Sequence, residues 1–412
     1  MKKDAVAGVV SVVLWAGGCT VGADDAPGEL GGSTSGSGGP AASEGEAPTG
    51  EGSTSAATGP GLDGTDEGPD DPDSGSDGSE GSDSGDTPGE CGGSTAEHFD
   101  LVGWATEAGG TTGGKGGASI TVSTGVELQQ ALDDQQDSDA PLTIWVDGTI
   151  TPGNSDGSKI DLKDLSDVSI LGMGEGADFD GIGIKLTRVS NIVLRNLRVH
   201  HVDIGDKDAI SIEGPADHIW VDHCELYAEF QGVDKDHYDG LLDAKGEAAY
   251  ITYSWNSMHD SWKTALVGSS DGDDFDRRLT MHHNYLRNCN SRLPLFRSGT
   301  GHVFNNFYED IVDTGINARM GACLRIERNY FSNARNPWLS AYSDELGAGE
   351  LMCNVLADGS HFELEGDDTH QIETCTADVP YAYDGVLNDV EAVPDLVTQH
   401  AGVGKLADPS DF

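Results

Sequence analysis

Four acids and three bases in this 412-residue chain are spaced for chemistry on a negatively charged substrate. Asp206 and Asp208 stand two apart, Asp239 and Asp243 four apart. Carboxylates two apart share one side of a strand or converge in a loop, and hard oxygen donors of this kind suit calcium. Lys263 follows, and then the cationic run Arg292-Leu-Pro-Leu-Phe-Arg297. Calcium with concentrated cations would hold an acidic polymer. Taken singly, each Asp reads as a solvated surface acid, and Arg292 and Arg297 as partners of surface carboxylates.

Such residues need a scaffold that brings distant segments side by side. Short apolar and β-branched runs recur, each closed by a polar residue: Ile192-Val-Leu-Arg-Asn196, Ile219-Trp-Val-Asp-His223, Ile251-Thr-Tyr-Ser-Trp-Asn256, Leu279-Thr-Met-His-His-Asn284, Val303-Phe-Asn-Asn306, Leu324-Arg-Ile-Glu-Arg-Asn329 and Leu351-Met-Cys-Asn354. Their ends are 27, 33, 28, 22, 23 and 25 residues apart. A period in the twenties built on strands predicts a solenoid of parallel strands, one coil per repeat. The recurrent Asn fits a sharp corner, because it tolerates left-handed backbone and its amide can bond the Asn of the next coil. The longest interval holds Asp239 and Asp243, and the 28-residue interval holds Lys263, so inserted length coincides with candidate chemistry. Val126-Glu-Leu-Gln-Gln-Ala-Leu132 reads as a short amphipathic helix capping the open end of the core. Trp220 and His223 read as core packing and a coil corner.

Composition divides the chain into residues 1–19, 20–90 and 91–412. Lys2 and Lys3 precede an apolar run, Ala5 to Ala16, too short to span a bilayer, which reads as a bacterial secretion signal. Ala16-Gly-Gly-Cys19 resembles a lipoprotein cleavage box, so Cys19 is expected to carry lipid and to tether the protein to the cell surface; an ordinary cleaved, secreted form is the alternative. Residues 20–90 hold seventeen acids and no Lys or Arg, with mostly Gly, Ser, Thr, Ala and Pro between them, and are expected to be a disordered linker. Residues 91–412 hold 54 acids and 21 bases. That balance excludes nucleic acid as a partner and requires any polyanion site to reverse the local field. Ten of those bases lie between Lys263 and Arg335. Six cysteines besides Cys19 imply disulfides, with Cys353–Cys375 the favoured pair, and the lack of Cys-x-x-Cys argues against zinc or redox chemistry.

Several of these motifs, in this order, resemble the pectate lyase superfamily. They are Gly109-Gly-Thr-Thr-Gly-Gly-Lys-Gly-Gly117, Asp206-Lys-Asp208-Ala-Ile-Ser-Ile-Glu213, Trp220-Val-Asp-His223, Asp239 to Lys245, Lys263, Arg292 to Arg297 and Gly315-Ile-Asn-Ala-Arg-Met-Gly321. The likeness runs from about Val102 to Pro337 and implies an all-β, right-handed single-stranded parallel β-helix. It also implies calcium-dependent β-elimination on polygalacturonate by a monomeric enzyme. Asp206, Asp208, Asp239 and Asp243 would ligate calcium, although the family often has Glu where Asp239 stands. Arg292 would be the base, Lys263 and Arg297 would stabilise charge and bind substrate, and Lys245 would bind a substrate carboxylate. Arginine as base runs against the usual permanence of the guanidinium charge, and crowding by other cations is what would favour a neutral form. The run Asp271-Gly-Asp-Asp-Phe-Asp276 matches no family ligand and reads as a solvated loop.

Other classes fit less well. Gly268-Ser-Ser270-Asp-Gly272 has the form of an esterase nucleophile elbow, but no helix pattern follows it. The Gly-His-Gly of a β-helix hydrolase is absent. A calcium-independent pectin lyase and a non-catalytic polysaccharide-binding solenoid are the alternatives, the latter opposed by the intact Lys263, Arg292 and Arg297.

Overall fold

Successive repeats pair in parallel and in register, so that like positions form columns. Val221, Tyr253, Met281, Val303 and Ile326 stand opposite one another in successive strands, and all five are fully buried. Alternation sends every second residue of each strand inward, and these five neighbours fill one column of core. Gly301 marks a place where a side chain cannot enter this stack: a Cβ there would lie 2.6 Å from Leu324 and 2.9 Å from the Phe296 ring.

A computed structural model describes residues 91–363 and 372–411. The expected signal, Cys19 and the acidic linker lie outside the described residues. The strands wind into a right-handed parallel β-helix. Each coil contributes three faces. The first comprises Ile210–Glu213, Leu242–Lys245, Leu266–Val267, Leu295–Arg297 and Ile316–Arg319. The second comprises Ala216–Asp222, Ala248–Ser254, Arg278–His282, Thr300–Phe304 and Cys323–Glu327. Both belong to a 17-stranded sheet, and the third face, with Glu225–Tyr227, Ser257–Lys263 and Tyr285–Ser291, forms a separate nine-stranded sheet. Loops between the third and first faces project from one side of the solenoid. The helix α1 (Gly125–Gln135) covers one end as expected, with Leu128 and Leu132 fully buried and Thr124 capping the Glu127 amide. A second helix, α2 (Val393–His400), was not foreseen; it lays Val393 and Val397 against Trp255 and Phe307.

The asparagine corners behave partly as expected. Asn256, Asn284, Asn306, Asn329 and Asn354 form a continuous ladder in which the Oδ1 of each Asn after the first accepts two N–H groups of the preceding Asn, backbone and side chain, at 2.9–3.1 Å. Each Nδ2 also reaches a carbonyl of the preceding strand, as in Asn306 Nδ2 to Met281 O at 3.0 Å. The left-handed backbone, however, belongs to the residue before the ladder: Trp255, His283, Asn305, Arg328 and Cys353 have φ between 49° and 54°. The Asn is there for its amide, which satisfies buried peptide groups that no strand partner reaches. Trp220 and His223 are fully buried, His223 at a corner with φ 47°.

The favoured Cys353–Cys375 disulfide is not formed. Cys91 bonds Cys353 and Cys323 bonds Cys375, with Cα separations of 5.4 and 6.0 Å. Cys353 turns outward at its corner toward the strap that begins at Cys91. Cys375 follows the short strand Glu373–Thr374, which pairs beside Ala348–Met352, itself the neighbour of the strand that begins at Cys323. Cys224 and Cys289 are free inside the core, where burial pushes both thiols up to about 12.

Asn306→Ala should strip the acceptor from two buried N–H groups of Asn284. At about 1–3 kcal/mol for each orphaned group, the variant should unfold ~3–5 kcal/mol more easily in a denaturant titration. A loss below about 1 kcal/mol would show that the ladder is incidental.

Candidate functional site

The candidate residues sit on the loops between third and first faces and on the strands those loops enter. The loops 201–209 and 228–241 are laced together: Ala209 N–H donates to Gly240 O at 2.9 Å, Asp239 N–H to Lys207 O at 3.1 Å, and Lys207 Nζ to Asp236 O at 3.0 Å. Asp208 lies at the entry to the first face and Asp243 on the adjoining strand, with 5% and 1% of their surfaces exposed. Asp208 Oδ1 accepts from Gly240 N–H at 2.9 Å, and Asp243 Oδ1 from Leu266 N–H at 2.9 Å. Gly240 has to be glycine, since a Cβ would stand 2.3 Å from Asp243 Oδ1.

Lys245 lies between the two carboxylates, its Nζ 2.8 Å from Asp208 Oδ2 and 3.0 Å from Asp243 Oδ2. The second approach is off the hydrogen-bond direction, so Asp243 Oδ2 is compensated in charge but has no donor. Burial pushes the Asp243 carboxyl up to about 6, with Lys245 opposing and Asp208 reinforcing the rise. A buried, donor-free carboxylate oxygen beside a second buried carboxylate is a place where a hard divalent cation fits. The lysine expected to meet substrate is thus bound here to two of the expected metal ligands. Its ammonium is held charged above the ordinary lysine range, the two carboxylates outweighing burial.

The other two acids are drawn to lysines. Asp206 is bracketed by Lys159 and Lys185, each at 2.9 Å, and Lys185 first and Lys159 second hold its carboxyl down at about 2. Lys263 ends the strand Ser257–Lys263 and reaches Asp236 at 2.8 Å and Asp239 at 3.1 Å. Burial works against its charge, but these two carboxylates raise its pKa. The four expected ligands are therefore not gathered in one shell. Asp208 and Asp243 are together, while Asp206 and Asp239 each face ammonium groups.

Arg292 directly follows the strand Tyr285–Ser291, with φ 65° and its carbonyl accepting from Ala265 N–H at 2.7 Å. Its guanidinium has no hydrogen-bond or ion-pair partner among the described residues, and its charge is felt at Asp243. Arg297 is held by Asp271 Oδ1 at 2.7 Å and Gly268 O at 2.9 Å. The Asp271–Asp276 run is accordingly not a merely solvated loop. Asp271 also accepts from Ser343 Oγ and Asp344 N–H, and Asp273 accepts from Gly246 and Ser269 N–H and pairs with the buried Arg277. Arg297 stands opposite Arg319 in the sheet, and Arg319 lies over the exposed ring of Tyr342. Sequence reading missed Lys159, Lys185, Asp236 and Asp271 as partners. The acidic run was visible, but its pairing depends on register between coils. Gly268 to Gly272 forms bends and a turn with no helix after it, unlike a nucleophile elbow.

Comparison with known proteins places the chain in a family. Residues 93–406 match the family model for pectate lyase. The chain is 49% identical over 308 residues to the pectate trisaccharide-lyase of Bacillus licheniformis, across 75% of this chain and 87% of that enzyme. It is 39% identical over 304 residues to the probable pectate lyase A of Aspergillus flavus, across 73% of this chain and 87% of that protein. Among solved structures, pectate lyase Bsp165PelA from Bacillus sp. N165, in complex with trigalacturonate, superposes with a TM-score of 0.68 at 40% identity, covering 74% of this chain and 99% of that one. Pectate lyase C of Erwinia chrysanthemi, at pH 9.5 with 30 mM Ca2+, gives a TM-score of 0.65 at 27% identity, covering 75% and 97%. The chain belongs to the pectate lyase family and is a polysaccharide lyase.

Lys245→Met should leave Asp208 and Asp243 buried without a counter-charge, costing about 3–5 kcal/mol at pH 8 in the presence of chelator. Asp243 binds its proton more tightly folded than unfolded, so its ionisation removes stability as pH rises through the folded pKa. The variant should therefore recover part of the loss at pH 5, measured by denaturant unfolding at both pH values. An equal loss at both would refute this account of the pair.

Proposed function

We propose that the chain is a calcium-dependent pectate lyase that cleaves polygalacturonate, demethylated pectin, by β-elimination to give unsaturated oligogalacturonides. The observation that carries the reading is the buried Asp208–Asp243 pair with its donor-free oxygen, where the charge of Arg292 is felt. Asp208 and Asp243 would hold calcium directly. Asp206 and Asp239 would join once a polyanion in the groove competes for their lysines. Bound calcium would neutralise the substrate carboxylate and so acidify the adjacent C5 proton.

Arg292 is assigned the base. Unlike Lys263 and Arg297, its guanidinium has no ion-pair partner among the described residues, which leaves it free to approach a substrate proton. As the C5–H bond breaks, its electron pair forms the C4–C5 double bond and the C4–O bond to the glycosidic oxygen breaks. That oxygen leaves with a proton from water. Lys263 and Arg297, pre-placed by Asp236, Asp239 and Asp271, would stabilise the negative charge that develops on the carboxylate side. Lys245, released from the acids by calcium, would join Arg297 in binding further substrate carboxylates. We assign residues 91–412 to the catalytic domain of a monomer. Residues 20–90 are assigned as an acidic linker, and residues 1–19 as a secretion signal of lipoprotein type with Cys19 lipidated; both lie outside the described residues. This makes the enzyme a surface-tethered or secreted one.

Incubation with polygalacturonate should raise the ultraviolet absorbance of the unsaturated product, and excess chelator should abolish the rise while leaving the β-helix folded. Undiminished activity in chelator, with methylated substrate preferred, would instead indicate a pectin lyase.

Arg292→Lys should bind polygalacturonate almost normally yet lose turnover by roughly three orders of magnitude, because an ammonium on a flexible stem neither reaches nor orients as the guanidinium does. Near-native turnover with weakened affinity would make Arg292 a substrate clamp and send the base assignment elsewhere.

A further inference from the structure

We propose a second metal site, for a divalent transition metal of the zinc class, formed by Asp180, His200 and His201 and separate from the carboxylate pair. Each residue offers one donor atom, and the three donor atoms lie within 4.8 Å of one another. Asp180 and His200 end neighbouring strands and are partners in register. His201 has φ 51°, and this left-handed bend brings its ring beside that of His200, with the two Nδ1 atoms 2.8 Å apart.

The hydrogen bonding fixes what these atoms present. His200 Nε2 lies 3.0 Å from Asp178 Oδ1, and a carboxylate can only accept, so the proton of His200 sits on Nε2. Its Nδ1 therefore points a lone pair into the cluster, facing Asp180 Oδ1 at 3.7 Å and His201 Nδ1. Two imidazole nitrogens and a carboxylate oxygen converge, and a cation satisfies all three where a proton satisfies two. A carboxylate that receives the far N–H of a histidine is the usual outer support of a metal ligand, fixing its tautomer and ring angle. Tyr227 stacks on His200 at 4.7 Å, nearly parallel, and meets His201 edge-on at 5.1 Å, restricting both rings. Glu229 and Asp260 add negative charge near His201.

Nitrogen donors select zinc, nickel or copper over calcium, and three ligands leave a fourth position for water. Nitrogens of a tetrahedral shell at about 2.05 Å from the metal lie roughly 3.3 Å apart, so the rings need open by only about half an ångström. Asp180, whose side chain is 56% exposed, is free to close on the ion. His201 also begins the loop that carries Asp206 and Asp208, so occupancy would fasten the root of that loop.

The test is titration of the chelator-stripped full chain with Zn2+ or Co2+ by calorimetry, in millimolar calcium to occupy acidic sites. One equivalent should bind with a micromolar or tighter dissociation constant, Zn2+ should raise the melting temperature, and Cu2+ should show coupling to two nitrogens in its electron paramagnetic resonance spectrum. His201→Gln should weaken binding at least tenfold, and so should Asp180→Asn, a change at an exposed position that the fold tolerates. Absence of saturable binding would overturn the proposal. So would binding unchanged in both variants, which would place the ion elsewhere, for example at His361 and Glu363.

Discussion

In-register parallel hydrogen bonding sets each coil about 4.8 Å from the next, and every feature of the site is a consequence of that constraint. Loops leaving the same corner of successive coils are forced to lie side by side. Residues 23 to 32 apart in sequence thereby become neighbours: Asp208 touches Gly240, Asp243 receives the Leu266 amide, and Lys263 reaches Asp239. The asparagine ladder holds the opposite corner with the same periodicity, so a slip of register at one corner would break the other. A rigid column of buried amides is what allows long loops to be hung from the structure without loss of alignment.

The same stacking sets the lysines of an acidic domain against its carboxylates. Lys185, Lys245 and Lys263 each meet a carboxylate of a neighbouring coil, and Lys245 meets Asp243 on its own strand as well. Exposed pairs such as Lys159–Asp206 contribute little to stability, so a ligand of higher charge can rearrange them cheaply. The buried Asp208–Lys245–Asp243 group is different, because removal of any member leaves a desolvated charge. In the proposed reading Asp208 and Asp243 would hold a divalent ion, and Lys245, freed from them, would turn to the polyanion. Net charge in the interior of the site then changes little.

Much of this was legible in the residues themselves. The repeat period, the amide ladder and the capping helix follow from local pattern: alternating apolar residues, a recurrent Asn, an amphipathic heptad. Site residues stood out by type and spacing; of the four expected ligands Asp208 and Asp243 lie together about Lys245, while Asp206 and Asp239 are held by other lysines. Pairings were not legible. Whether Asp206 faces Lys185 or Asp208, or whether Cys353 bonds Cys91 or Cys375, depends on which side of a strand or turn each residue occupies. That is decided by coil length and by a strap joining residues more than 250 apart, as in the Cys91–Cys353 bond across 262 residues. The helix α2 escaped notice because its eight residues make sense only against Trp255 and Phe307.

Backbone conformation does not by itself single out the proposed base. Arg292 is left-handed, a state that costs a residue with a Cβ roughly 1 kcal/mol, but so are Trp255, His283, Ser298, Met320 and many other residues at coil corners. The strain is a property of sharp turns between parallel strands and is met by whatever residue stands there. What separates Arg292 from Arg297 is electrostatic. Arg297 is committed to Asp271, whereas the Arg292 guanidinium has no ion-pair partner among the described residues, its charge being felt at Asp243, and Arg292 follows Ser291, the register partner of Lys263. A guanidinium clamped by an acid is committed to that partner, whereas one with no ion pair among the described residues is free to turn to a substrate.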